Sequence, residues 1–533
     1  MRIILAGFNI DRTLIDELAS VTAHPEAVTP ETVAVAYARI SRDPRPVTEL
    51  RQAAIEDVEA ARKSARSIVF GLNHQSVAEH AAFNFDVLDI SRLCVEALEW
   101  HRLCSYTEKS QRYQELTDDH VIPAGLEGPA RELFEATVAK QFALYARAFE
   151  ILHAHFRERH PDMLDTKAGE RVVAGYAKED ARYITPLATK AQLGFTANAR
   201  NLEYIIRRLR AHPLAEARRL GEEFFRQAGE VAPALILLTD PVEYEKQFGQ
   251  TLSDDFFTRT HPHAREVIDA LRTRFRAGAG EATGAPGSGE PAFEHAPGDG
   301  SDTPAGHAEL LHPGDHPRRG DVTLLEWPPA ADRSVLTAIL HAHSGEPAQA
   351  CAALADRLLA DGEGARELMR EFLAHANPWE SATREFEAAG FTFEVTLSAA
   401  CYGQMKRHRM STQLVQEYDP GLGVTIPPSV TETGLADDFL ALAEETAGVY
   451  ARLLDEAPEA APYVLTNSHR RRMLVRADIR ELYHISRLRE DPHAQWDIRT
   501  VSADMLALAR EKAPLALMLA WGKDVFEEKK QQL

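Results

Sequence analysis

Asn73 to Leu116 reads NHQSVAEHAAFNFDVLDISRLCVEALEWHRLCSYTEKSQRYQEL, and its organisation recurs in the second half of the chain. Within it, Phe83 to Ile90 alternates with the period of a half-buried strand, and the helical pattern SRLCVEALEWHRL follows, ending in a basic cluster. The later copy has the strand FTFEVTL from Phe391 to Leu397, then SAACYGQMKRHRM, then STQLVQEYDP up to Pro420. A second pair of related segments lies nearer each end. ANARNLEYIIRRLRAHPLAEAR from Ala197 and RADIRELYHISRLREDPHAQWDIR from Arg476 each read as an amphipathic helix broken near a proline, Pro213 or Pro492, and then resumed. The order and type of element therefore repeat, as in a duplicated domain; two copies are too few for a solenoid.

Between the copies, Arg276 to Asp321 is dense in Gly, Pro, Ala and acids and almost free of β-branched or aromatic residues. Such a segment buries too little apolar surface to offset its ordering entropy, so it reads as a flexible linker. The expected division is a first domain over 1–275, a linker over 276–321 and a second domain over 322–533. A chain of 533 residues exceeds what one hydrophobic core organises, which agrees with two domains. The fold class expected is α/β in the broad sense (α+β), helix-rich with a small, mainly antiparallel sheet in each copy. LAEARRLGEEFFRQAGEV and DDFLALAEETAGVYARLLDEA have heptad-like apolar spacing and read as scaffold and subunit interface.

The bulk numbers exclude several functions. Hydrophobic residues at 44% and charged residues at 26% fit a globular protein with real cores. A formal net charge of −21 disfavours a broad nucleic-acid footprint or an anionic membrane surface, so any anion must be caught by clustered arginines. Cys94, Cys104, Cys351 and Cys401 show no C-x-x-C spacing, and four in so long a chain make no disulfide framework; a reducing cytoplasm fits best. The opening MRIILAGFNIDRT is too briefly apolar for a signal peptide, no run of eighteen apolar residues follows, and IILAGFNID lacks G-x-G-x-x-G.

Chemistry concentrates at Glu108-Lys109-Ser110-Gln111-Arg112-Tyr113. A hydroxyl, a guanidinium and a phenol within four positions offer donors for a planar, oxygen-rich ligand and its phosphate, and arginine pairs bidentately with such oxygens. Taken alone, such a run is more often an ordinary surface loop. Its surroundings change the reading. His74, Ser76, Glu79, His80, His101, Arg102, Ser105, Ser110, Arg112 and Tyr113 stand in the order and spacing of an H-x-S/T-x-x-E-H run, an F-x-F strand and an R-H-R-x-x-S-x-N-x-x-S-x-R-Y run, so the stretch closely resembles the signature region of flavin-dependent thymidylate synthases. EDARYITPLAT from Glu179 resembles that family's next element, which makes Arg182 a candidate phosphate ligand.

The departures from the pattern are complementary. In the first half Trp100 replaces the first Arg of the triplet, Thr107 an Asn, Ala97 an upstream Gln, Leu209 a functional Arg and Pro213 a His. In the second half Gln404, Arg407, His408 and Arg409 restore the triplet and its Gln, and RLREDPHAQWDI restores Arg489 and His493. There, however, Glu417, Asp419 and Pro420 stand where Ser, Arg and Tyr belong, Ala388 replaces the His of E-H, and Asp478 and His484 replace asparagines. The resemblance thus implies one site shared between two copies that each keep part of it.

What it implies in detail is reductive methylation of dUMP to dTMP, with FAD as cofactor and NADPH and methylenetetrahydrofolate as co-substrates. Catalytic roles fall to Arg112, Ser110 and Arg489, and substrate contacts to Glu108, Gln111, Tyr113, Arg182 and Gln404. Cofactor contacts fall to Ser76, Glu79, His101, Arg102, Asn198, Arg200, Arg407, His408, Arg409, Arg480 and His493. Ser110 reads as a donor, since no base beside it activates it as a nucleophile. Glu79 and His80 are half of a metal site without further ligands, so no metal is expected. A homodimer imitating a tetramer of single domains is implied, with no nucleic acid or membrane partner. Three alternatives stay open: a flavoenzyme modifying the C5 of another uridine nucleotide, a non-catalytic homologue that binds nucleotide or flavin, and a nucleic-acid binder, which the acidic balance disfavours.

Overall fold

The computed structural model describes residues 9, 11–40, 43–71, 74–112, 114, 116, 118–252, 257, 264–273 and 318–532. The opening strand, Tyr113 and nearly all of the expected linker lie outside the described residues.

Two antiparallel sheets carry the molecule. In the first half β1 (Ala82–Ser91), β2 (Ser105–Glu108) and β3 (Lys190–Asn198) lie in the order β1-β3-β2. In the second half β4 (Arg318–Arg319), β5 (Val322–Glu326), β6 (Gly390–Ser398), β7 (Thr412–Val415) and β8 (Arg470–Asp478) lie in the order β4-β5-β6-β8-β7. The triplet β6-β8-β7 repeats β1-β3-β2 in register: Ser91 pairs with Lys190 as Ser398 pairs with Arg470, and Ser105 with Thr196 as Thr412 with Arg476. One residue breaks the identity. β1 bulges between Val87 and Ile90, where Asp89 adopts φ 56°, whereas β6 runs unbroken. Alternation buries Leu193, Phe195 and Ala197 on β3 and Met473, Val475 and Ala477 on β8. The expected linker ends before Arg318, because Arg318 and Arg319 already pair with β5 and Arg319 reaches Asp504 at 3.0 Å.

A serine turns each first strand into its helix. Ser91 and Ser398 accept the N–H groups of Cys94 and Cys401, capping Arg92–Glu99 and Ala399–Met405. Both helices stop short of the basic clusters, which sit in the turns that lead into β2 and β7.

The described parts of 1–236 and 317–533 form one compact unit. Its halves are joined by a pseudo-two-fold set of hydrogen bonds: the Ala188 N–H donates to Tyr463 and the Ser468 N–H to Tyr183, while Leu187 donates to Leu465 and Asn467 to Thr185. Two carboxylates repeat the symmetry. Glu216 accepts from Ser91 (2.6 Å) and from Tyr463 of the other half (2.9 Å), as Asp497 accepts from Ser398 (2.6 Å) and Tyr183 (2.8 Å). Glu99 and Lys406 occupy equivalent positions and pair at 2.9 Å; two identical copies would set like charges against each other there. Along the helices Gly128–Arg159 and Ala436–Glu456, Tyr145, Ala148 and Leu152 share a buried cluster with Phe439 and Leu442, which Val430 of the short helix Pro428–Glu432 joins. Each large side chain so buried contributes about 1.5–3 kcal/mol.

The described parts of 237–316 form a second unit. It holds a turn at Leu237–Thr239 and the helix Pro241–Phe248, capped by Asp240 and closed by Gly249 at φ 64°, and residues 264–273 are helical. No helix among the described residues is long and apolar enough to cross a membrane.

Candidate active site

From the first half, the end of β2 delivers the Ser110–Arg112 turn. Lys109 extends the ladder by donating to Gln192 (2.8 Å), and Ser110 Oγ accepts the Arg112 N–H (3.2 Å). That turn projects Arg112, whose Nε donates to Glu179 and whose Nη2 donates to the carbonyl of His493 in the other half (3.1 Å). Glu179 stands in the last turn of the helix Lys167–Ala181, immediately ahead of Arg182. Arg182 is buried and donates to Gln495 Oε1 of the other half (2.9 Å).

From the second half come Gln404, at the end of Ala399–Met405, and Arg489, at the end of Ile479–Arg489. Gln404 Nε2 donates to Gln495 Oε1 (2.8 Å), and Arg489 donates to Gln404 Oε1 (3.3 Å) and to the Gln404 carbonyl (3.2 Å). Arg489 Nε donates to His408 Nε2 (2.8 Å). That nitrogen must therefore be an acceptor, which leaves the His408 proton on Nδ1, 3.4 Å from Glu481. Burial pushes His408 down to about 4, so the ring is neutral and can accept. Burial alone raises Glu481, but His408 and the half-exposed His484 outweigh it and hold the carboxyl at about 2.

The cluster is cationic and water-poor. Burial first, then Arg407 and Arg112, pull Arg489 down to about 10, and burial lowers Arg182 as well, with Arg112 adding to the effect. Guanidinium groups that crowd each other in this way are relieved by an anion. Arg112, Arg182, Gln404 and Arg489 are thus brought together across the halves, with Gln111 buried beside them, 3.4 Å from Asn467.

Other expected residues stand farther out. Arg407 is half exposed and lies 3.6 Å from Glu108, whose buried carboxylate Lys406 also holds at 3.5 Å. His493 is 95% exposed, with Nδ1 on Asp491 at 2.6 Å, so it is open to a ligand. Arg409 is partly buried and Arg102 exposed. Arg480 is engaged by the Ala382 carbonyl (2.8 Å) and Glu387 (2.7 Å). Glu79 and Arg200 form the equivalent ion pair in the first half, Asn198 caps the helix Ala199–Arg210, and Ser76 is in the turn Gln75–His80.

These first-half residues surround an altered counterpart of the site. His101 is the equivalent of His408, equally buried and equally pushed down to about 4 by burial. Where Arg489 meets His408, however, the first half has Leu209, and His101 Nε2 is buried without a hydrogen-bond partner among the described residues. Ala97, Pro462 and Asp419 stand for Gln404, Arg182 and Arg112, and buried Tyr418 stands for Gln111, its hydroxyl on Glu96 at 2.9 Å. No guanidinium of the first set has an equivalent here.

Gln495, Glu179, Glu481 and Tyr183 join the site although the motifs assign them no role. Of these, Gln495 is visible in RLREDPHAQWDI as an uncharged polar residue two positions past His493, in a run that stands out for its charges. His408, Glu481 and His484 bring three ligand atoms within 4.8 Å, a spacing that suits a cation. A metal on His408 Nδ1 would need the proton on Nε2, where Arg489 already donates, so the arrangement described is an Arg489–His408 hydrogen bond with the Glu481 carboxylate 3.4 Å from Nδ1.

Three buried imidazoles also set an acid limit. His101, His408 and His469 each fall from 6.5 to about 4 through burial. A depressed histidine stabilises the fold fully above the unfolded value and loses that contribution as pH falls from 6.5 towards 4. Lowering the pH from 7 to 5 is expected to cost about 2 kcal/mol for each ring. Urea midpoints that do not move across this range would exclude neutral buried rings.

Residues 23–234 and 323–515 each match the family model described as thymidylate synthase complementing protein. A UPF0159 protein of Chlamydia muridarum is 23% identical over 462 residues, covering 84% of this chain and 78% of the relative, and one of Chlamydia pneumoniae is 23% identical over 467. A flavin-dependent thymidylate synthase of Mycobacterium tuberculosis is 32% identical over 203 residues, covering 37% of this chain and 75% of the relative.

Proposed function

Because this chain belongs to the thymidylate synthase complementing protein family, we propose that it converts dUMP to dTMP by FAD-dependent reductive methylation at a composite site, with methylenetetrahydrofolate as carbon donor and NADPH as reductant. The supporting observation is the convergence of Arg112 and Arg182 from one half with Arg489 from the other: Arg182 is linked to Arg489 through Gln495 and Gln404, and Arg112 reaches the His493 carbonyl. A nucleotide brings a phosphate dianion and a ring whose oxygens gain negative charge as C5 becomes nucleophilic. Fixed guanidinium donors in a water-poor site stabilise that charge better than water does. Arg182 and Arg112 suit the phosphate and the ring edge, Arg489 and Gln404 the developing oxyanion, and Ser110 a hydrogen bond to the nucleotide.

The residues present fit a flavin dinucleotide on donor chemistry: half-exposed Arg407 and exposed His493 border the cluster and offer cationic or N–H groups to a pyrophosphate. Arg480 is already committed to Glu387. Arg407 and His493 would hold FAD, which once reduced by NADPH would supply the hydride that completes the methyl group as tetrahydrofolate leaves. Two tandem chains pairing as four copies of the fold belong to the same reading.

The test is growth. A thymidine-requiring strain expressing this chain is expected to grow without thymidine, and strains expressing Arg112→Ala or Arg489→Ala are not. Growth with both variants equal to that with the parent would remove these arginines from the reaction, and a purified chain without flavin absorbance would remove the cofactor.

A further inference from the structure

We infer that Gln495 is a positioning residue that fixes the hydrogen-bond polarity of Gln404, so that the site takes a carbonyl and rejects an amino group at position 4 of the pyrimidine. The inference rests on the nucleotide reading above and adds the base it selects.

The Arg182 guanidinium donates and never accepts. The Gln495 atom 2.9 Å from Arg182 Nη2 is therefore the oxygen, which puts the Gln495 amide nitrogen 2.7 Å from the Tyr183 hydroxyl. That hydroxyl in turn donates to Asp497 at 2.8 Å. The same Gln495 oxygen lies 2.8 Å from Gln404, so the Gln404 atom facing it is nitrogen. The Gln404 oxygen is then left for Arg489, 3.3 Å away and again a pure donor. A flipped Gln404 would set oxygen against oxygen at one end and N–H against N–H at the other. Gln495 is fully buried and Gln404 7% exposed, so water does not relieve either clash.

Gln404 thus keeps one further N–H, which has no acceptor among the described residues. Beside it stands Arg489, so this part of the site presents donors only. In uracil the 4-carbonyl is conjugated with C5 and C6, and it gains negative charge as C5 turns nucleophilic; donors belong there. Cytosine carries an amino group at that position and would set N–H against N–H. Rejection by a buried group left unpaired is strong, and a preference for dUMP over dCMP of at least roughly 10²-fold is expected.

The experiment measures dUMP and dCMP binding to the FAD-loaded full chain by equilibrium dialysis, with ligand-free thermal melting as a check on folding. Gln495→Met removes the acceptor, frees Gln404 to turn and is expected to bring the ratio to within roughly threefold of unity. Gln495→Glu retains oxygens for Arg182 and Gln404 and is expected to keep the preference, which loss of packing alone would not explain. If Gln495→Met does not fold, Gln404→Glu replaces the donor by an acceptor and is expected to move the ratio at least roughly tenfold towards dCMP. A folded Gln495→Met or Gln404→Glu with the parental ratio overturns the inference and leaves the nucleotide reading standing, as does a parent that binds both nucleotides equally. A parent that binds neither overturns both.

Discussion

Arg489→Lys is expected to lower kcat/KM for thymidylate formation by roughly 10²–10³-fold, the range seen when one preorganised donor of an oxyanion site is lost. Charge is nominally conserved in this substitution, but geometry is not. Arg489 spans His408 Nε2, the Gln404 side-chain oxygen and the Gln404 carbonyl with three different nitrogens. A single ammonium on a flexible stem cannot hold all of them and still face a ligand. The charge itself becomes fragile as well. Burial with Arg407 and Arg112 nearby takes the arginine from 12.5 to about 10, and a similar displacement of a lysine would leave it near 8 by the same physics. Residual activity of the lysine variant should therefore fall off above about pH 8, whereas the parent should not show that limb. Leu209→Ala, at the equivalent place in the first half, is the control and should leave kcat/KM within about twofold of the parent, since no donor is lost there. A lysine variant within threefold of the parent across pH 6 to 9 would remove Arg489 from the transition state.

The repeated architecture was legible in the sequence, because period-two strands and proline-interrupted helices are local signals. Of the strands, only β1 and β6 are legible in this way; β2, β3, β7 and β8 and the orders β1-β3-β2 and β6-β8-β7 depend on pairing between distant segments, and the bulge around Asp89 comes from one inserted residue that no periodicity announces. Complementary motif loss likewise pointed to residues that meet: Arg112 touches the backbone of His493, and Arg182 and Gln404 share Gln495. What spacing along one chain does not carry is pairing across the halves. His101 matches its motif, yet the position of Arg489 is Leu209 in this half, so a cofactor role read from the motif lacks the arginine that meets His408. In the sequence Tyr418 is only part of a lost loop, EYDP. In the fold it is a buried member of an ionic network, and its partners come from both halves.

That network yields the largest expected effect on stability. Glu96→Ala should destabilise the chain by about 3–5 kcal/mol, the cost of removing one member of a buried ionic group and leaving its partners unpaired. Glu96 pairs with Arg92 at 3.1 Å and with Arg471, and it accepts from the Tyr418 hydroxyl at 2.9 and 3.0 Å. The three charged side chains are each at most 7% exposed, so water cannot replace the lost carboxylate. The Arg471 guanidinium also lies over the Tyr418 ring at 3.6 Å, so its displacement would disturb an aromatic contact too. Because Arg92 and Glu96 belong to one half and Tyr418 and Arg471 to the other, the loss falls on the pairing of the halves. The second copy shows why a symmetric repair fails: Gly403 stands at the position of Glu96, and a Cβ there would meet Arg92 Nη2 at 2.6 Å. Among the described residues this network lies on the side where the arginines of the site are missing. Urea unfolding of Glu96→Ala should show a lower midpoint at an unchanged slope, and below that midpoint kcat should stay near the parental value, since no group of the Arg112–Arg489 cluster has been touched. A loss under about 1 kcal/mol would mean that Arg92 and Arg471 find other partners or water, and that the halves are held mainly by the apolar helices.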